Sequence, residues 1–278
     1  MRGDEVKAVA LAVNFAVVCG FAGAAVAQER ARQIACGGTA IARGAARRAI
    51  DGRTFVLGDG REIRLAAIEV PPLPLPRQAD APPGGTAAKD ALAARLTGAE
   101  IIVRGADVAT DRYGRLFAFA FAVRGGAERS VQADLIAGGF ARVADRVGSR
   151  DCAAELLRRE QAARKAKLGL WANSYYDVLD ADKPADVLAQ KGRFALVEGK
   201  VLSVRQSGAT VYVNFGRRWS EDFTVTIRRR SAGKFAAAGL APKRLAGQRI
   251  RVRGWIEERG GPWVEAARPE QIELADHE

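Results

Sequence analysis

The residues able to do chemistry in this sequence are carboxylates, arginines and aromatics. Its only histidine is His277, beside the C-terminus, which argues against a Ser-His-Asp triad, a Cys-His pair, a histidine zinc site and a histidine general base. What remains is chemistry by acidic groups, by guanidinium groups, or by a hard metal ion held on oxygen. Val211-Tyr212-Val213-Asn214-Phe215-Gly216-Arg217-Arg218-Trp219 sets aromatics and paired arginines along one strand-like run and the loop after it. Single nucleic-acid strands are held in this way, with bases stacked on aromatic faces beside a basic groove. Tyr212, Trp219 and Trp255 are the stacking candidates; Arg217, Arg218, Arg228, Arg229 and Arg230 are the phosphate candidates. Strand alternation assigns Val213 and Phe215 to a barrel core instead, and the bland alternative for the arginines is a solvated strand end.

The 278 residues suffice for about two domains. A hydrophobic share of 48% with 27% charged residues excludes a disordered chain and a polytopic membrane protein. The formal net charge of +12 points to a polyanionic partner. Residues 191–278 are the more basic part for their length, with 17 basic against 10 acidic side chains.

Arg2 and Lys7 precede an apolar stretch over 8–18, and Ala25-Val26-Ala27 follows, the layout of a secretory signal peptide covering 1–27. The alternative is an uncleaved N-terminal anchor. Cleavage after Ala27 makes the protein exported, periplasmic or secreted, with no membrane span left in the mature chain. It leaves two cysteines, Cys36 and Cys152, in an oxidising compartment, where they are expected to form a disulfide rather than stay as separate thiols.

The elements that must position these groups alternate short strands with turn signals. Residues 54–57 and 62–68 flank Gly58-Asp59-Gly60-Arg61, a strand, turn and strand. A Pro-rich loop over 71–83 leads through Gly84-Gly85 into a helix over 86–96. Strands at 100–103 and 116–123 enclose Thr110-Asp111-Arg112-Tyr113-Gly114-Arg115, and helices follow at 131–137 and 151–168, the second stopping at Gly169. Residues 173–190 read as a linker. Beyond it, strands at 195–204, 210–215, 223–227, 249–256 and 263–266, with a helix near 232–238, give the strand and helix order of an OB-fold. The fold class is mainly β with helices (α+β): a small mixed β-barrel with helices over 36–172, then a second, small OB-like barrel over 191–275.

That first domain is assigned by likeness. DGRTFVLGDGREIRLAAIEVPP, GGTAAKDAL, TDRYGRLFA, QADLIAGGFARV and LGLWA follow one another in the order and spacing of the staphylococcal nuclease (thermonuclease) family, which this chain resembles over residues 40–172. The resemblance implies an OB-like barrel with helices that binds single-stranded or loosened nucleic acid; active members cut phosphodiesters with calcium. Arg64 and Arg115 fall on the family's two arginine positions, which grip the phosphate and stabilise its transition-state charge. Arg112 and Tyr113 fall on positions that contact the nucleotide. Glu69 stands at the second metal carboxylate, and Asp51 in the Asp-Gly pair is a weaker metal candidate.

Two carboxylates of the family pattern are replaced. Arg53 stands at the first metal aspartate, where a cation repels the ion and substitutes for its charge. Pro72 stands at the general-base glutamate, and proline takes no proton from water. With both arginines kept and Arg53 as a third phosphate donor, the expectation is a phosphate-binding site with a degenerate calcium and general-base centre. No cofactor is then needed, and the partner is nucleic acid or another polyanion. One alternative is an active, metal-dependent phosphodiesterase whose carboxylate comes from Asp59, Glu62 or Asp80, with calcium as cofactor. The other is an envelope protein-interaction module.

Overall fold

The computed structural model describes residues 36–76, 81–111 and 113–275. Three of the sequence motifs become neighbouring strands. The hairpin of Thr54–Leu57 (β2) and Glu62–Leu65 (β3) forms on its Asp-Gly turn, where the Asp59 carboxylate accepts the Arg61 N–H at 3.0 Å. Ala40–Asp51 (β1) pairs with β2 and with Glu100–Thr110 (β5), which pairs with Leu116–Arg124 (β6). A parallel pairing of β3 with β6 closes the ring of five strands. Inside it lie Phe55, Ile63, Leu65, Ile101 and Val103, all but inaccessible to water.

The chain leaves β3 through Ala67, whose φ of 65° is left-handed, a conformation that costs a non-glycine residue about 1–2 kcal/mol. Ile68–Glu69 (β4) is thereby turned off the barrel to pair with Arg142–Val143 (β8), and Ala144 N–H donates to Ala67 O at 3.0 Å. Gln132, in the helix Val131–Ala137, plugs the gap: its amide accepts from Ala120 N–H and donates to Ala118 O. The helix Gly85–Leu96 packs against β1 and the Val131–Ala137 helix.

The third helix, Arg150–Lys165, begins on a Ser149 cap and carries Cys152, which is bonded to Cys36. That disulfide encloses 116 residues of sequence separation, a constraint worth about 5 kcal/mol in the chain-entropy picture. The helix is shorter than its periodicity suggests. Its end comes at Lys165, and Gly169 opens a 3-10 turn, Gly169–Ala172, instead of capping the helix. A side chain at Gly169 would meet Gly139 O at 2.5 Å, so glycine there serves a close backbone approach.

Residues 173–190 hold more structure than a bare linker needs. They contain the 3-10 turn Ser174–Tyr176, the strand Leu179–Asp180 (β9) in parallel with Phe194–Lys200 (β10), and the short helix Pro184–Leu188. The stretch read as one strand over 195–204 is two, β10 and Ser203–Ser207 (β11). Between them Val201 N–H bonds to Gln248 O and Leu202 N–H to Asn214 O, so the chain changes partners at that point. Thr210–Asn214 (β12), Thr224–Arg228 (β13), Arg249–Trp255 (β14), Glu257–Arg259 (β15) and Gly261–Glu265 (β16) complete a second barrel. Its helix Ala232–Ala237 lies between β13 and β14, and a parallel pairing of β13 with β16 repeats the closure of the first barrel. Ile272–Leu274 (β17) adds to β14. Phe215 is core, as alternation requires, and packs on Phe223. No helix among the described residues is long and apolar enough to cross a membrane; the proposed signal segment 1–27 lies outside them.

The two barrels meet at a buried cluster of charges. Arg253 of β14 is fully buried; its Nη2 contacts Glu160 Oε2 of the third helix at 2.7 Å and Glu273 of β17, and its Nη1 donates to Val143 O at 3.1 Å. Glu160 Oε1 accepts the Val143 N–H at 2.7 Å. Burial pushes the Glu273 carboxyl up, but the Arg253 charge and hydrogen bond outweigh it and hold the group below its ordinary value.

Removing one partner strands the other in a dry interior, so Arg253→Ala is expected to lower the urea-unfolding free energy by about 3–5 kcal/mol. Because the folded Glu273 pKa is depressed, its contribution is complete above the ordinary glutamate value. That contribution is lost as pH falls through the lowered one. Denaturation curves between pH 7 and pH 3 should therefore show a shallower acid loss in Glu273→Gln than in the parent; identical slopes would contradict this assignment.

Candidate phosphate site

The first site residues sit on one turn. Asp51 closes β1, and its carboxylate accepts the Arg53 N–H at 2.8 Å and the Thr54 hydroxyl at 3.2 Å, which makes it a turn former. Gly52 allows the turn to press on the first helix, since a side chain there would meet the Ala88 Cβ at 2.7 Å. Arg53 O accepts from Leu65 N–H at 2.7 Å, which fixes the turn to β3. From this anchored backbone the Arg53 guanidinium reaches Glu69, Nη1 to Oε2, at 2.7 Å.

Arg64 and Arg115 complete the cluster. Arg64 faces Thr54 across the β2–β3 pair and is half-buried. Burial lowers its pKa most, followed by the like charges of Arg53 and Arg115, with Asp51 and Glu69 opposing. No described residue hydrogen-bonds or ion-pairs with its guanidinium. Arg115, just before β6, is held by Asp111 through Nε and Nη2, each 2.7 Å from Oδ2. Burial pushes the Asp111 carboxyl up; hydrogen bonds from the Tyr113 N–H and from Arg115 prevail and leave it lowered. The Arg115 guanidinium also lies 5.0 Å from the centre of the Tyr113 ring, which is largely exposed. Arg112 and Asp80 lie outside the described residues.

The carboxylates present do not fit calcium, which takes six to eight oxygen ligands. Asp51 is engaged by its own turn, Glu69 by a guanidinium, and Asp111 by Arg115. Among the described residues no group of three or more potential ligands gathers at one point. Of the substitute carboxylates, Asp59 pairs with Arg61 at the hairpin tip and Glu62 is exposed on the outer end of β3. Pro72, at the family's base position, is packed against the start of the first helix, where its carbonyl lies 2.0 Å from where a Gly85 side chain would begin.

The second barrel divides the aromatics that the sequence groups together. Tyr212 meets Trp263, which sequence reading did not single out, edge to face at 6.0 Å. Arg228 and Arg230 line the same concavity, and Arg259 lies 4.8 Å from the centre of the Trp263 ring. Arg228 is paired with Glu265 and Arg218 with Glu221. Arg217 and Arg229 are exposed, and Trp219 is 74% exposed in the loop between β12 and β13. Trp255 turns the other way, toward Phe194 and the seam between the barrels.

Sequence reading also missed Arg142 and Arg193. Arg142 is buried under β10, donating to Phe194 O at 2.8 Å. A charged residue in a two-residue strand gives no periodic signal, so only its cross-strand position opposite Glu69 marks it.

Residues 62–173 match the family model described as Staphylococcal nuclease homologue. No curated protein matches the chain.

If the Arg53 guanidinium occupies the place of a cation, Arg53→Asp should create a third carboxylate beside Asp51 and Glu69. Calcium binding with a Kd of about 0.1–1 mM is expected in that variant and not in the parent. Terbium luminescence displaced by calcium measures it; equal binding by both proteins would show that Arg53 does not exclude the ion.

Proposed function

We propose that the first barrel, whose residues 62–173 match the SNase family model, works as a phosphate grip for nucleic acid, with Arg53 in the role that a metal has in a hydrolytic site. The observation that carries this reading is the state of Arg64. Its guanidinium is half-buried and close to two further arginines, and no described residue pairs with it. Withdrawing a cation from water beside like charges is unfavourable, and an incoming phosphate relieves both penalties at once. Arg115, oriented by Asp111 and flanked by Tyr113, offers its remaining N–H groups and an aromatic face for the adjoining sugar or base.

Hydrolysis needs more than a grip. A water must lose a proton and the leaving oxygen must gain one. The family's base position is a proline, and the two carboxylates nearest Arg64 are already engaged. We therefore read the protein as a binder whose catalytic centre is degenerate, exported through its N-terminal segment and working where its disulfide is stable. Its basic second barrel extends the polyanion surface.

The test incubates labelled single-stranded DNA and RNA with calcium, magnesium, manganese or chelator, and follows cleavage and mobility together. Retarded but intact strands are expected in every condition, and Arg64→Ala should weaken retention by about tenfold or more. Metal-dependent cleavage that disappears in Arg115→Ala would overturn the binding-only reading. Unchanged retention in Arg64→Ala would remove the arginine cluster from the interface.

A further inference from the structure

Many arginines among the described residues are matched by carboxylates. In the groove that includes Arg249 and Arg251, Glu198 meets both guanidinium groups. On the Tyr212–Trp263 face, Arg228 is held by Glu265 and Arg259 by Glu257. A cavity of about 190 Å³ at the seam of the two barrels holds two that are not. Arg142 and Arg193 both line it, and neither makes an ion pair with a described residue.

The walls around these two cations are aromatic. The Arg142 guanidinium lies 5.0 Å from the centre of the Tyr176 ring and 5.1 Å from that of Phe194. Arg193 lies 5.1 Å from the Tyr175 ring centre, and Trp255 stands at the mouth, 45% exposed. Arg142 gives Nη1 to the Phe194 carbonyl, while its Nε is buried without a hydrogen-bond partner. The Tyr176 hydroxyl donates to Pro83 O at 2.6 Å, which ties the end of the Pro-rich loop to the cavity wall. Two carboxylates also line the space, but Glu69 is neutralised by Arg53 and Asp177 is exposed.

Size and chemistry narrow the occupant. The volume equals that of about six water molecules at about 30 Å³ each, enough for one ring or one phosphate group. Rings on the walls favour stacking with a planar group, and the unpaired guanidinium groups favour an anion. Glu69 is the shared wall: it faces Arg142 across the β4–β8 pair and meets Arg53 of the phosphate cluster.

We propose that this seam cavity takes the phosphate of a single nucleotide toward Arg142 and Arg193, with the base stacked at its mouth against Tyr175 and Trp255. This rests on the reading that the neighbouring Arg64 cluster holds nucleic-acid phosphates, because the cavity then takes the next nucleotide of the same strand. The second barrel supplies half the site through Arg193, Phe194 and Trp255, so the pocket needs both barrels.

Calorimetric titration of the full protein tests it, using thymidine 5′-monophosphate, thymidine and inorganic phosphate as separate probes. The monophosphate should bind, and Arg193→Ala and Tyr175→Ala should each weaken it by about tenfold. Arg142→Lys should weaken it too, and circular dichroism checks that this buried variant folds; the two partly exposed variants decide the matter if it does not. Inorganic phosphate binding as tightly as the monophosphate would overturn the base subsite. Monophosphate binding that ignores Arg193→Ala and Tyr175→Ala would overturn the location. Oligonucleotide retention without any monophosphate binding would overturn the cavity and leave the Arg64 grip standing, whereas the converse result would remove the grip and keep the cavity.

Discussion

One guanidinium holds the molecule's functional edge in place. Arg253 comes from the second barrel, yet its hydrogen bond to Val143 O and its ion pair with Glu160 act on the first. Glu160 in turn accepts the Val143 N–H, so both polar groups of that residue are fixed by the charge cluster. Val143 and Arg142 form the short strand that pairs with Ile68–Glu69. The position of Glu69, and through it that of Arg53, therefore depends on a buried salt bridge between the barrels. Such clusters contribute little net stability over apolar packing, but breaking one is costly and they fix a single register. A two-residue strand cannot fix its own register, and this arrangement does so for it.

The second constraint is electrostatic. Asp51, Arg53, Arg64, Glu69 and Arg115 lie close enough for their charges to act on one guanidinium, that of Arg64. A metal ion at this point would bring two positive charges and open coordination positions. Arg53 brings one charge and no position for water. It also satisfies Glu69 internally, so the site keeps its fold without an ion. On the proposed reading, a phosphate would meet the unpaired Arg64 beside Arg53 and Arg115, each already held by a carboxylate. Stability without an ion and the proposed affinity for phosphate would then follow from the same replacement.

The fold was legible wherever local pattern and tertiary role agree. Thr54–Leu57, the Asp-Gly turn and the Val131–Ala137 helix follow from alternation, turn chemistry and helical spacing, and all three appear. The strand at Leu179–Asp180 was not legible, because two residues carry no period and their pairing partner determines their state. The break of 195–204 into two strands was hidden for a related reason: apolar residues recur on both sides of Glu198-Gly199-Lys200, and only the hydrogen-bond partners change at Val201. At the site, Arg53, Arg64, Glu69 and Arg115 were found by motif position. Arg142 and Arg193 were not, since a lone arginine reads as solvated until a chain segment many residues away covers it. Trp263 escaped for the same reason, as its contact with Tyr212 arises from strands brought together by a parallel pairing.

The covering of Arg142 also gives the second barrel a physical reason to sit where it does. By itself, β8 would present this arginine to water opposite Glu69, where it would cost nothing. The second barrel lays the Phe194 ring and carbonyl over it, replacing water with one hydrogen bond and two aromatic faces. That exchange leaves Nε unsatisfied and lowers the pKa of the group by burial, a free-energy cost that the charges of Tyr176, Glu160 and Glu69 offset only in part. Arg253, buried as deeply, is paired directly with Glu160 and Glu273. A buried cation left unpaired beside an open cavity is instead set up for an anion that arrives and departs. The geometry that leaves Arg64 without a partner in the first barrel is thus repeated at the seam, one strand away.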